Sequence, residues 1–225
     1  MRKVAILQFP GTNCDLDTKY AFEKMGLRTS IIWHKETTIE DDVDLVVVAG
    51  GFSYGDYLRS GAIARFSPIM EAVKTYASNG GKVLGICNGF QILTEARLLE
   101  GALKRNENLH FISRYQTLRV ENNSNVFLSS CDKGEILNIP IAHADGNYYI
   151  NDEGLKSLED NEQILLRYCD ENGDNLNVNG SVSSIAGICN KEKTIFGLMP
   201  HPERAIEDIL GSEDGVKMLK GLLSL

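Results

Sequence analysis

The sequence predicts an α/β fold: a single doubly wound, mainly parallel sheet with helices on both faces, plus an antiparallel extension in the second half. Three observations predict it. Short apolar runs beside glycines, the continuous one at residues 45–49 and the one at 82–86, read as strands buried on both faces. In the first half these runs alternate with amphipathic segments, and that β-α-β-α order calls for parallel pairing through helical crossovers. In the second half the runs follow one another across turns, with no strong helix between most of them, so antiparallel pairing is expected there.

The elements follow in order. Residues 4–7 are the first strand. Gly11-Thr12-Asn13 supplies turn and capping chemistry for a helix that runs through Tyr20, Ala21 and Met25 and stops at Gly26. Residues 30–33 and 45–49 are the next strands. Pro68 opens a helix carrying Ile69, Met70, Val73 and Tyr76, and Asn79-Gly80-Gly81 closes it. Residues 82–86 are a strand and 89–99 a helix. Strands are expected over 118–120, 139–142, 164–168, 185–188 and 194–199, with a last helix over 215–223. The stretch 170–184 is rich in asparagine and glycine and reads as a hairpin loop rather than a domain boundary. With 225 residues and no internal repeat or linker, the whole chain, 1–225, is expected to be one domain.

Charge and cysteine usage exclude several function classes. Lys and Arg number 23 against 31 Asp and Glu, a net charge of −8. A nucleic-acid binder needs a basic face, so none is expected. The five cysteines are Cys14, Cys87, Cys131, Cys169 and Cys189, and none forms a C-x-x-C pair. This argues against a disulfide framework or a spaced zinc site and for reduced thiols in a cytoplasmic protein. No apolar stretch approaches the length of a membrane span.

The sharpest local pattern is Gly85-Ile86-Cys87-Asn88-Gly89, where a buried strand turns into a helix. It has the layout of a nucleophile elbow with cysteine in the nucleophile position. A helix N-terminus favours a thiolate over a thiol, and the Asn88 amide points where an oxyanion forms. The base must come from four histidines. His201 lies between Pro200 and Pro202, with Glu203 placed to accept the second ring N–H. His143, with Asp145 at the same two-residue offset, is the rival. His34 and His110 carry no supporting pattern, so packing or surface roles are expected. A glycine-rich loop from Ala49 to Tyr57 follows another buried strand, at the edge where ligands of open α/β sheets bind. It lacks the lysine of a phosphate loop, and its Gly51–Phe52 backbone offers a second oxyanion donor.

These residues resemble the class I (triad) glutamine amidotransferases, a flavodoxin-like family. The elbow Cys87-Asn88-Gly89-Phe90-Gln91, the Gly50-Gly51 loop and His201-Pro202-Glu203 carry the likeness. Nearly the whole chain is similar to one branch of that family, the glutaminase subunits of phosphoribosylformylglycinamidine synthase. That likeness rests on Gln8-Phe9-Pro10-Gly11-Thr12-Asn13-Cys14-Asp15, GGFSYGDYLRSGAIA at 50–64, Arg119-Val120-Glu121-Asn122, Asn179-Gly180-Ser181 and MPHPERA at 199–205. The resemblance implies Cys87 as nucleophile, His201 as general base and acid, and Glu203 as its orienting carboxylate. It implies oxyanion amides from Gly51 and Asn88, and substrate contact from Gln91. It further implies L-glutamine as substrate, a large synthetase subunit that uses ATP and magnesium, a small third subunit, and no cofactor or metal in this chain. Glu100, Asp145 and Val178 depart from the family's usual residues. Two other readings are a glutaminase serving a different synthetase and a non-catalytic flavodoxin-like binding module.

Overall fold

The uninterrupted apolar runs form the middle of the sheet. The computed structural model of the protein describes residues 2–224. Its first half contains β1 (Lys3–Gln8), α1 (Asp15–Lys24), β2 (Arg28–Trp33), β3 (Leu45–Val48), α2 (Ile69–Ser78), β4 (Lys82–Ile86) and α3 (Asn88–Glu95). The rest contains β5 (Ala102–Lys104), β6 (Ile112–Val120), β7 (Ile136–His143), β8 (Asn147–Tyr149), α4 (Asp152–Asp160), β9 (Ile164–Tyr168), β10 (Ile185–Cys189), β11 (Ile195–Leu198) and α5 (Asp214–Lys220). Among the described residues, no helix is long and apolar enough to cross a membrane.

One nine-stranded sheet runs in the order β2-β1-β3-β4-β11-β10-β9-β6-β7. From β2 to β11 every pairing is parallel, and from β11 to β7 every pairing is antiparallel. Burial follows this division. Strands β3 and β11 are buried at every residue, as strands covered on both faces must be. Strand β7 alternates buried and half-buried positions, the mark of a strand with one wetter face. It ends the sheet, which is where Pro140 is tolerated within a strand. Pro140 has no N–H to donate, and its carbonyl accepts from the His201 amide at 2.8 Å.

Several boundaries differ from the sequence expectation. The helix expected over 89–99 stops at Glu95; Arg97 takes φ 60° and the Leu98 amide bonds back to the Leu93 carbonyl. The strands around 118–120 and 139–142 are longer, because pairing between β6 and β7 spans Ile112 to Arg119. The last helix ends at Lys220 and gives way to a short 3-10 turn. Helix α1 is capped by Cys14 without a side-chain cap bond; the Cys14 thiol instead donates to the Asn13 side-chain oxygen Oδ1. Strands β5 and β8, which form a separate two-stranded ribbon, escaped the sequence reading because three residues carry no legible period. Helix α4 was missed too, although Asn151 accepts from the Gly154 amide and two acidic residues follow it.

One close approach sets the position of α3. A Cβ on Gly89 would lie 1.8 Å from the Val48 carbonyl oxygen, so the first turn of the helix rests directly on β3. No side-chain rotation relieves a clash with backbone. Gly89→Ala is therefore expected to cost about 3 kcal/mol or more, at the upper end of overpacking penalties. Urea unfolding of the variant, read as a drop in midpoint, checks this.

Candidate active site

Cys87 joins β4 to α3 with φ 51° and ψ −105°. A non-glycine residue in such a conformation stores about 1–3 kcal/mol of strain. The surroundings hold it there. The Cys87 amide donates to the Leu198 carbonyl at 2.7 Å, and its carbonyl accepts from the Gln91 amide at 3.2 Å. The thiol is thereby lifted above the sheet edge and donates to the Ala142 carbonyl at 3.7 Å.

Parallel pairing of β3, β4 and β11 brings three loops to the same edge. The residues after β3 include Gly50 and Gly51, those after β4 begin with Cys87, and those after β11 reach His201. His201 and Glu203 are each only 2% exposed, and the imidazole Nδ1 lies 2.6 Å from Glu203 Oε1. Burial works against a charged ring at His201. The Glu203 carboxylate and the Cys87 sulfur outweigh it and hold the imidazole well above its ordinary range. The opposite ring nitrogen, Nε2, has no hydrogen-bond partner among the described residues. Cys87, His201, Gly51, Phe52, Cys14 and Arg204 share the wall of one narrow cavity of about 100 Å³.

His143 meets a different environment. Its Nδ1 faces the Asn106 side-chain oxygen at 3.1 Å, while the Asp145 carboxylate accepts from Ser60 Oγ at 2.7 Å. The equal sequence offsets of Glu203 and Asp145 thus lead to unequal partners. Burial, and then the charge of His201, drives His143 down to about 4, so it is neutral at pH 7. His34 bonds the Tyr54 hydroxyl at 2.8 Å, and His110 is at the surface, as their lack of pattern predicted.

The remaining expected site residues divide. The amides of Gly51 and Asn88 carry no hydrogen bond among the described residues. The expected Phe52 amide is corrected: it donates to the Gly11 carbonyl at 3.0 Å, so it is not a free oxyanion donor, and Phe52 contributes cavity wall instead. Gln91 is buried; its Nε2 donates to the Asp145 carbonyl at 2.7 Å and its Oε1 accepts from Asn88 at 2.8 Å. It braces the loop after β7 against the elbow. Of the three departures, Asp145 holds Ser60, Glu100 accepts from the Gln163 amide, and Val178 packs on the core. Sequence reasoning assigned no place to Cys14 or Arg204 at this edge. The signal was available, because Cys14 follows β1, another parallel strand pointing the same way.

A family model described as the CobB/CobQ-like glutamine amidotransferase domain matches residues 1–215. The chain belongs to this glutamine amidotransferase family. Among relatives of the same family, it is 68% identical over 221 residues to the phosphoribosylformylglycinamidine synthase subunit PurQ of Sulfurimonas denitrificans, which covers 98% of this chain and 99% of that protein. The PurQ subunit of Campylobacter jejuni is 58% identical over 221 residues, covering 98% and 96%. A chain in the PurLQS structure of Thermotoga maritima superposes with a TM-score of 0.88 at 41% identity, covering 99% of this chain and 98% of that one. Another Thermotoga maritima glutamine amidotransferase shares the fold alone, with a TM-score of 0.58 at 14% identity and coverage of 99% and 84%.

Two titrating groups beside the site pull stability in opposite directions with pH. His143 is lowered from 6.5 to about 4 in the folded chain. Its contribution is present above about pH 6.5 and lost as pH falls toward 4. Asp56 is raised from 3.8 to about 6 by burial and then by Asp145. Its contribution is present below about pH 4 and lost as pH rises through 6. His143→Gln is therefore expected to weaken the loss of stability on acidification from pH 6.5 to 4, and Asp56→Asn to steepen it. Urea midpoints at stepped pH distinguish the two slopes.

Proposed function

We propose that this chain, residues 1–225, works as a single glutaminase domain and is the glutaminase subunit of a phosphoribosylformylglycinamidine synthase. It hydrolyses L-glutamine to glutamate and ammonia. The ammonia goes to a large synthetase subunit that uses ATP and magnesium to convert formylglycinamide ribonucleotide to formylglycinamidine ribonucleotide, in a cytoplasmic assembly with a small third subunit. The observation that carries the chemistry is the meeting, at one sheet edge, of the Cys87 thiol and an imidazole anchored by Glu203. The choice of synthetase is supported by the 68% identity to a PurQ subunit over nearly the full chain.

The steps follow from the geometry. His201 takes the thiol proton, and the Cys87 sulfur attacks the side-chain carboxamide carbon of glutamine. The oxyanion that forms is held by the amides of Gly51 and Asn88, whose donors are otherwise unspent. His201 returns the proton to the leaving nitrogen, the carbon–nitrogen bond breaks, and ammonia leaves a γ-glutamyl thioester on Cys87. Water then attacks the thioester, its proton passing to His201, and glutamate departs as the thiol is restored. Glu203 fixes the ring so that Nε2 does this work. Gln91 acts on glutamine through the loop it braces.

Cys87→Ser in the assembled enzyme is expected to abolish glutamine-dependent synthesis and to spare synthesis from added ammonia. His201→Asn is expected to lower glutaminase turnover at least about a hundredfold, and His143→Asn by less than about tenfold. Steady-state rates with each nitrogen source check these outcomes; a His143 variant more damaging than the His201 variant would overturn the assignment of the base. A glutamine-like electrophile such as diazo-oxo-norleucine should label Cys87 and spare the rest. Burial pushes the Cys131 and Cys189 thiols up to about 11 and 12, and also raises Cys14 and Cys169. Peptide mapping of the adduct decides.

A further inference from the structure

The glutaminase steps leave one buried thiol of the site unused. Cys14 is 2% exposed, and its sulfur shares the cavity wall with Cys87 and His201. One ligand atom each from Cys14, His201 and Glu203 lies within 4.8 Å of the other two. A second observation points the same way: Glu203 is 2% exposed, and its Oε2 is a buried polar atom without a hydrogen-bond partner among the described residues. Native interiors leave few such atoms unsatisfied.

We propose that Cys14, His201 and Glu203 form an inhibitory site for a divalent cation of the zinc class. The donor set is thiolate, imidazole and carboxylate, the mixture that suits zinc and not magnesium or calcium. Tetrahedral zinc bonds of about 2.0–2.3 Å place donors roughly 3–4 Å apart, a shift of about an ångström from a cluster whose donors lie within 4.8 Å and whose His201–Glu203 bond of 2.6 Å must open if Nδ1 is the ligand. Two anionic donors and a neutral ring balance the charge of the ion. Arg204, whose Nη2 lies 3.2 Å from the Cys14 sulfur, stabilises the thiolate from outside the donor set. Binding releases two protons to solvent, the thiol proton of Cys14 and the extra ring proton that Glu203 favours on His201. It also blocks the base whichever ring nitrogen is used. A metal on Nε2 occupies the lone pair that must take the Cys87 proton. A metal on Nδ1 leaves the remaining ring proton on Nε2. The spacing rules for zinc sites could not reveal this cluster, because its residues come from opposite ends of the chain.

Inhibition rests on the glutaminase reading above, whereas occupancy does not, and the test separates them. Cobalt(II) serves as the binding probe, since thiolate ligation gives a charge-transfer absorption band. The full-length chain and its Cys87→Ala variant should both show the band, and Cys14→Ser should lose it and bind zinc at least about tenfold more weakly. A band that persists in Cys14→Ser, vanishes in Cys87→Ala, or is missing from the wild type overturns the proposal. If far-UV circular dichroism shows that Cys14→Ser is unfolded, zinc-edge X-ray absorption on Cys87→Ala decides: one sulfur ligand supports the site, and any other count overturns it. In the assembled enzyme, zinc should inhibit glutamine hydrolysis reversibly with a chelator. Cys14→Ser, read against its own zinc-free rate, should need about tenfold more zinc; equal sensitivity overturns the inhibitory role. A wild type that binds cobalt but hydrolyses no glutamine without metal would refute the glutaminase reading and leave the metal site standing.

Discussion

The contact of Gly89 with the Val48 carbonyl governs the rest of the site. Because α3 can rest on β3 without a side chain between them, the helix starts immediately after β4. Cys87 is left at the junction with a positive φ that no unconstrained cysteine would keep. The thiol's height above the sheet, the direction of the Asn88 amide and the approach to His201 all follow from that junction. The strain is sustained by the buried β3, β4 and β11 ladder, whose apolar burial far exceeds it.

The antiparallel half supplies the opposite wall. Strand β7 ends the sheet, and its outer edge meets the site rather than open water: Asn138 donates to Asp214, Pro140 accepts from His201, and Ala142 accepts from Cys87. A free strand edge is an aggregation hazard unless something covers it. Here two of the three covering residues, His201 and Cys87, are catalytic candidates. The same contacts hold His201 at a fixed height over Cys87, so the mixed topology has a positional consequence as well as a protective one.

Two buried imidazoles share this small region, and the surroundings drive them apart. Glu203 favours the charged form of His201, and that charge in turn disfavours a second one on His143. Asp145, which has the same offset from His143 as Glu203 has from His201, is turned away by Ser60. One carboxylate is thus bonded to one ring, and the other ring meets a neutral amide. Cys14 lies close to the His201 imidazole too, which makes that ring the meeting point of the proposed chemistry and the proposed inhibition.

Much of this was legible in the sequence, for a local reason. Strand and helix starts in the first half, the cysteine elbow, the glycine loop and the proline-flanked His201 are patterns of neighbouring residues, and their periods and turns are set by sterics within a few positions. The family likeness rests on those same local blocks. Tertiary structure alone decided what depends on partners distant in sequence. It paired His201 with Glu203 and His143 with Asn106, gave Asp145 to Ser60, spent the Phe52 amide on Gly11, and turned Gln91 toward Asp145. It also brought Cys14 beside a histidine from the far end of the chain. Hydrogen bonds and burial between distant segments leave no period in a sequence, so only the folded chain could assign them.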